Sequence, residues 1–258
     1  MHTSLRVRSA IKRASLILSA TPEDQKKIRD IHHRDSILMA DTGTNPAAIK
    51  QNPHSWNQKQ PLRLIWSGLF LGRKALPVAL WALNMLPNRN MVELHILGDG
   101  AEKNGWTQLA HKLDVAQQCN FYGMVPHKQA LEITSSCDCM IFTSFQEATS
   151  TVIMEALTYG LPVICHDTCG MASIIDNTCG FKIPVISPKE SARRFNMSIQ
   201  RLLDNPSLVL SLSKGALIKA QEHNWDNKAC KMTSFYQDIL LSRQNNLDSL
   251  SKKQKYNS

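Results

Sequence analysis

The chain has 258 residues, of which 43% are hydrophobic, so it can form one large domain or two small ones. Its 30 Lys and Arg residues outnumber 21 Asp and Glu residues, and the net charge of +9 permits binding to phosphates, nucleic acid or an anionic membrane face. No run of about 18 or more apolar residues is present, which excludes a conventional transmembrane helix.

The N-terminal part of the chain shows only short predicted elements. The first 13 residues are basic and acid-free, a composition that also fits a transit peptide but lacks the apolar core of a secretory signal. Strands are predicted over 14–21 and 36–45, and a helix begins after Thr21, whose hydroxyl suits an N-cap. Residues 50–61 form a polar, Pro-bounded linker.

From Leu62 onwards, short apolar runs alternate with helical patterns. Strands are predicted over 62–68, 92–100, 119–123, 138–144, 162–167 and 180–185. Helices are predicted over 76–86, 106–113, 127–136, 150–159, 188–204, 207–222 and 225–242. This alternation predicts an α/β fold with a Rossmann-like parallel sheet and helices on both faces. In such sheets, ligands bind at the carboxyl ends of the strands.

The stretch QEATSTVIMEALTYGL contains two carboxylates, Glu147 in a loop and Glu155 within an otherwise apolar helix. Three hydroxyl residues precede or open this helix: Thr149, Ser150 and Thr151. Backbone N–H groups and hydroxyls at a positive helix end suit a phosphate. Glu155 could accept hydrogen bonds from a ribose diol, and the alternative is that it is only solvated at the helix edge.

Two cations, Arg73 and Lys74, follow the first strand of the regular region and precede a helix. Cations at a helix N-terminus oppose the helix dipole, which is mildly unfavourable without a bound anion. Fixed cations and N–H groups can stabilise the charge that develops on a leaving diphosphate without a metal. The alternative is an exposed basic turn.

The order of these segments is similar to that in the donor-binding half of family 4 (group 1) glycosyltransferases, which have the GT-B architecture of two Rossmann-like domains. The similar pieces lie at 67–76, 94–100, 120–127, 137–167 and 180–185. The most specific is the Glu-x7-Glu element of Glu147 and Glu155, followed by ALTYGLPVI. The chain therefore resembles one GT-B half with an incomplete second half.

The resemblance implies transfer of a sugar from a nucleotide-diphosphate-sugar donor with retention at the anomeric carbon. It implies that Glu147 has the catalytic position and faces the donor sugar. It also implies that Glu155 binds the ribose and that Arg73 and Lys74 bind the diphosphate. The other donor-binding positions that it implies are Thr149, Ser150, Thr151, Gly68, Gly98 and Val125. The donor is a co-substrate, and no metal or other cofactor is expected.

The family comparison also divides the chain. Residues 1–61 are interpreted as a remnant of the N-terminal acceptor domain plus linker, and 62–222 as the nucleotide-sugar-binding domain. A C-terminal helix over 223–242 and a disordered tail over 243–258 follow. The chain thus resembles a truncated transferase or one half of a split enzyme, with exposed apolar surface where the other half would sit. A UDP-sugar epimerase of the same architecture is a further alternative.

Seven cysteines without a CxxC pair indicate reduced core residues in a cytosolic protein rather than zinc ligands or disulfides. His127 is interpreted as a helix-start residue and His166-Asp167 as a turn.

The expected partners are the donor, a saccharide or lipid-linked acceptor of polysaccharide or glycolipid biosynthesis, a separate acceptor-domain chain, and the cytosolic membrane face. Nucleic acid is not expected, because the basic ends are not interleaved with aromatic residues.

Overall fold

The computed structural model describes residues 4–255, with side chains up to residue 245. The N-terminal part contains two helices, Leu5–Arg13 (α1) and Pro22–His32 (α2), and two short parallel strands, Leu18–Ser19 (β1) and Ile37–Leu38 (β2). Thr21 caps α2 as predicted, because its hydroxyl accepts a hydrogen bond from Asp24 N at 3.0 Å. The predicted strands over 14–21 and 36–45 are present for two residues each.

A six-stranded parallel sheet forms the main part of the chain. Its strands are Leu62–Ser67 (β3), Val92–Leu97 (β4), Cys119–Gly123 (β5), Cys139–Phe142 (β6), Val163–His166 (β7) and Gly180–Ile183 (β8). The spatial order is β5-β4-β3-β6-β7-β8, so the winding direction reverses between β3 and β6. At such a reversal the loops leaving the two neighbouring strands diverge to opposite faces and leave a crevice between them.

Helices cover both faces of the sheet, as the sequence predicts. They are Leu76–Asn84 (α3), Lys103–Lys112 (α4), His127–Ser136 (α5), Thr151–Thr158 (α6), Met171–Ile174 (α7), Pro188–Asp204 (α8), Pro206–Glu222 (α9) and Trp225–Lys255 (α10). α3 packs against α8 on one face, and α6 packs against α9 on the other. Every residue of β6 and β7 is buried, which explains why these strands are apolar without alternation.

Successive residues of β3 alternate between two hydrophobic clusters. Leu64 and Trp66 belong to the cluster under α3 and α8, and Ile65 belongs to the cluster under α6 and α9. This alternation follows from the two-residue period of a strand. It fixes the register of β3 and therefore the position of the loop that carries Arg73 and Lys74.

The predicted disordered tail over 243–258 is wrong for residues 243–255, which continue α10. The segment has few apolar residues, but no Gly or Pro interrupts it after Trp225, and an anchored helix extends by adding one hydrogen bond per residue. Residues 256–258 lie outside the described part. None of the helices within residues 4–255 has the length and apolar composition that a bilayer span requires.

Candidate functional site

The loops that follow β3 and β6 meet at the reversal of the sheet. Phe145 N donates to Arg73 O at 3.0 Å, and Thr143 Oγ1 donates to Lys74 O at 2.8 Å. The basic turn is therefore fixed against the loop of residues 145–150, which we call the site loop. Because parallel strands end at the same edge of a sheet, two segments far apart in sequence come together there.

Glu147 of the site loop binds both predicted cations. Its Oε1 lies 2.8 Å from Arg73 Nη1 and forms a second ion pair with Lys74 Nζ. Ser144 Oγ also donates to this oxygen at 2.8 Å. Burial alone would raise the pKa of Glu147, but the hydrogen bonds from Lys74 and Ser144 and the two positive charges lower it overall. The three groups carry a net positive charge that favours an anion.

Three of the predicted donor-binding positions follow the carboxyl ends of strands β3, β4 and β5. Gly98 has a φ of +125°, and a Cβ there would lie 1.9 Å from Gly68 O, so the turn requires glycine. A Cβ at Gly68 would lie 3.5 Å from Lys74 Cδ, which places Gly68 beside the Lys74 side chain. Val125 is partly buried and packs against the hydrophobic cluster under α6 and α9.

A cleft of about 540 Å³ lies between the first turn of α2 and the loops that carry Arg73 and Glu147. Glu23 from α2 and Cys169, which follows β7, border the same cleft. The N-terminal part of the chain therefore forms one wall of the candidate site. No local sequence pattern indicates Glu23 as a site residue, because it contacts Cys169, which lies far along the chain.

Glu155 lies in a second, smaller cavity of about 240 Å³, bordered by Thr151 and the exposed Trp225. Its side chain is 23% exposed, and its Oε1 lies 3.8 Å from His127 Nε2. Burial raises the pKa of Glu155, and the charge of His127 opposes this in part. His127 begins α5 as predicted, but its contact with Glu155 was not predicted.

The hydroxyl residues of the site loop differ in their contacts. The Thr149 hydroxyl donates to the Asp41 carboxylate and accepts from Thr42 Oγ1 at 3.2 Å. Ser150 is the N-cap residue of α6, but its buried side chain makes no capping hydrogen bond. The N–H groups of the first turn of α6 are therefore not capped by that side chain, which suits a ligand with acceptor oxygens.

Several other predicted residues have structural contacts. His166 is buried, stacks on Phe145 with ring centroids 4.6 Å apart, and has its Nε2 3.0 Å from Ser191 Oγ. Burial lowers the pKa of His166.

All seven cysteines are free, and five are buried. Within the described residues, no group of three or more His, Cys, Asp or Glu is placed to hold a metal ion.

Comparisons with known proteins agree with this geometry. The sequence model of the family described as "Glycosyl transferases group 1" matches residues 49–219. The lipopolysaccharide glucosyltransferase WaaG of Escherichia coli is 28% identical over 175 residues, which are 67% of this chain and 45% of WaaG. The aligned part of this chain thus covers less than half the length of that relative.

Two solved structures share the fold over most of the chain. Sucrose-phosphate synthase from Thermosynechococcus elongatus superposes with a TM-score of 0.73 at 21% identity, covering 92% of this chain and 61% of that protein. The Anabaena protein HepE in complex with UDP also gives 0.73, at 18% identity, with 92% of this chain and 69% of that protein covered. At these identities the likeness concerns the fold.

Proposed function

The chain belongs to the glycosyl transferases group 1 family, and we propose that it binds a nucleotide-diphosphate sugar and serves in retaining sugar transfer. The observation that carries this proposal is the cluster of Arg73, Lys74 and Glu147 at the reversal of the sheet. Two cations and one carboxylate leave a positive charge where a nucleotide-binding sheet accepts its ligand.

In the ligand-free chain, the Glu147 carboxylate occupies the cations that a diphosphate needs. A bound diphosphate takes over Arg73 and Lys74 and releases Glu147 to accept hydrogen bonds from hydroxyls of the donor sugar. As the anomeric bond breaks, negative charge grows on the diphosphate, and the fixed cations stabilise it without reorganising. The same phosphate can take the acceptor proton during attack on the same face of the sugar.

Glu155 receives the ribose in this proposal. A half-buried carboxylate with one distant partner gains two hydrogen bonds from a vicinal diol, which offset the cost of keeping it charged. The uncapped first turn of α6, preceded by Thr149 and Ser150, supplies N–H groups to the phosphate or sugar. The base would bind by the turns near Gly98 and Val125, which follow β4 and β5, and Gly68 lies beside Lys74 in the donor site.

The proposed reaction is hexosyl transfer to a saccharide or lipid-linked acceptor in polysaccharide or glycolipid biosynthesis, at the cytosolic membrane face. Its support is the similarity to a lipopolysaccharide glucosyltransferase. The acceptor would enter the cleft between α2 and the site loop. No metal-dependent step is proposed, because the cations are supplied by side chains.

A thermal-shift panel of UDP-, GDP- and ADP-sugars tests the proposal, because a ligand that binds only the folded state raises Tm. We expect one nucleotide series to raise Tm and its sugar to appear in product when an acceptor is added. Conversion of a UDP-sugar without any acceptor would instead identify an epimerase. No shift with any member of the panel would contradict donor binding.

A second candidate is a donor-binding half that needs a separate acceptor-domain chain. Exposure of Leu18 in β1 and Ile37 in β2 favours it, because a two-stranded sheet with apolar side chains exposed is marginal alone. The test is turnover by the purified 258-residue chain. Turnover without any added protein would rule this candidate out.

A further inference from the structure

The site loop is held on one side through Glu23. Glu23 Oε1 accepts a hydrogen bond from Cys169 N at 3.0 Å, and the next residue, Gly170, donates from its N to Ala148 O at 2.8 Å. A Cβ at Gly170 would lie 2.1 Å from Ala148 O, so the two loops are in direct backbone contact. Glu23 is therefore connected to Glu147 in three steps. It is hydrogen-bonded to Cys169, the next residue Gly170 is hydrogen-bonded to Ala148, and Ala148 directly follows Glu147.

Cys169 has a left-handed backbone conformation, with a φ of +56°. Residues other than glycine adopt this conformation only when surrounding contacts compensate for the steric cost. The Glu23 carboxylate provides such a contact, because a hydrogen bond from a backbone N–H to a charged oxygen is stronger than one between neutral groups. Loss of that acceptor should let the loop at Cys169 relax.

A second contact holds the site loop at the next residue, Thr149. The hydroxyl of Thr149 donates to Asp41 and accepts from Thr42. Lys228 of α10 fixes the segment that carries Asp41 and Thr42, since its ammonium donates to the carbonyls of Ala40 and Thr42 and the residue is only 7% exposed. The segment of residues 18–45, which we call the N-terminal segment, thus contacts the site loop directly at Thr149 and is linked to Ala148 through Cys169 and Gly170.

The charges indicate that these carboxylates act on the loop rather than on a ligand. Glu23 borders the same cleft as Arg73, where a carboxylate opposes the binding of a diphosphate. Its Oε1 is engaged by a backbone N–H, and the Asp41 carboxylate is engaged by a hydroxyl. One oxygen of each carboxylate thus accepts a hydrogen bond that fixes a loop, through backbone at Cys169 and through a side chain at Thr149.

We propose that Glu23 and Asp41 are positioning residues that hold Glu147 where it contacts the donor sugar, so that the N-terminal segment sets the geometry of the donor site. The inference rests on the proposed role of Glu147. It gives residues 18–45 a function within the donor site itself, in addition to any contact with an acceptor.

Hydrogen–deuterium exchange of the ligand-free full chain tests the contact without requiring activity. In Glu23→Ala we expect the amide of Cys169, which loses its acceptor, to exchange about tenfold faster or more. In both Glu23→Ala and Asp41→Ala we expect the same of the Gly170 amide, which donates to the site loop at Ala148 O. Glu23→Gln and Asp41→Asn keep an acceptor oxygen and should restore the slow exchange. Asp30→Ala removes an exposed carboxylate of the same helix and should leave it unchanged.

Binding measurements complete the test, with UDP, GDP and ADP and their glucose conjugates as probes. The alanine variants should keep the affinity for the diphosphate and lose the additional affinity that the sugar provides, and the amide variants should regain it. Unchanged exchange in both alanine variants would overturn the inference. So would equal loss in Glu23→Gln and Glu23→Ala, which would mean that an acceptor oxygen at this position does not hold the loop. Wild-type chain that binds none of the six probes would overturn the proposed function, whereas the exchange result would still decide the loop contact.

Discussion

Lys74 and Glu147 form an ion pair at the reversal of the sheet, with only 12% and 13% of their side chains exposed. Each comes from a loop that leaves a different strand, β3 or β6. The pair is shielded enough that its charges interact strongly, and its member Glu147 borders a cleft that a ligand can enter. A cation and a carboxylate held this way can exchange partners when a diphosphate sugar arrives.

Substitutions at the two ends of this pair should have different effects. Lys74→Ala should weaken binding of the cognate nucleoside diphosphate by about 10–100-fold, which is the value of a hydrogen bond to a charged group. Glu147→Gln should leave that affinity equal or higher, because a competing anion is removed, and should lower transfer by about 100-fold. Equilibrium dialysis and turnover assays measure the two effects, with the exposed Lys26→Ala as control. Parallel losses of binding in both variants would contradict the assigned roles.

Glu155→Gln should stabilise the ligand-free chain at neutral pH and abolish its stabilisation by the donor. Burial raises the pKa of Glu155 above its usual value of 4.5, so the folded state is penalised once the carboxyl ionises. The stability contributed by the protonated form is present below pH 4.5 and is lost as pH rises through the raised pKa. The Tm advantage of the variant should therefore disappear below that pH, whereas the exposed Glu132→Gln should show none. A variant that is less stable than wild type at neutral pH would refute this account.

Asp138→Ala should destabilise the chain by about 3–5 kcal/mol, because it leaves buried donors without a partner. The carboxylate is 2% exposed and accepts from His54 Nε2 at 2.6 Å and from Arg63 N at 2.6 Å. It thereby anchors the linker of residues 50–61 to the amino end of the sheet. Urea unfolding measures the loss, and His54→Ala should cost less, about 1 kcal/mol, because His54 is only one of the donors. Equal costs for both substitutions would show that the anchor has another origin.

Gly98→Ala should cost about 1–3 kcal/mol and disturb the turn beside Lys74, because φ is +125° and the new Cβ would collide with Gly68 O. Gly105→Ala is the matched control within α4. No atom lies within 4 Å of a Cβ built there, and alanine favours the helix by about 1 kcal/mol. The free energy of unfolding, measured with denaturant, should therefore fall in Gly98→Ala and rise in Gly105→Ala. An unchanged free energy of unfolding in Gly98→Ala would contradict the described turn.

The sequence predicted the regular part of the fold because its strands and helices are encoded locally. β5 and α5 coincide with their predicted ranges, and α8 begins after a Ser187 cap that accepts from Glu190 N at 3.2 Å. The sheet order was not predicted, since it depends on which strands pair in space. The tail was wrongly assigned because composition alone does not reveal that a helix already anchored at Trp225 can continue.

The candidate site was predicted only in part, for a related reason. Lys74, Glu147 and Glu155 were found from local patterns of charge within apolar segments, and their roles remain predictions. The ion pair between Lys74 and Glu147 joins residues that no local pattern relates. The contact of Glu155 with His127, and those of Glu23 and Asp41 with the loops, likewise arise only when distant segments pack together.

The most direct test of the central claim is a calorimetric titration of the full chain with UDP-, GDP- and ADP-glucose, repeated with Lys74→Ala. The account predicts saturable binding of one nucleotide sugar at a single site, and a loss of about tenfold or more in affinity in the variant. Absence of binding by all three ligands, or equal affinity in wild type and variant, would contradict a donor site at Lys74 and Glu147.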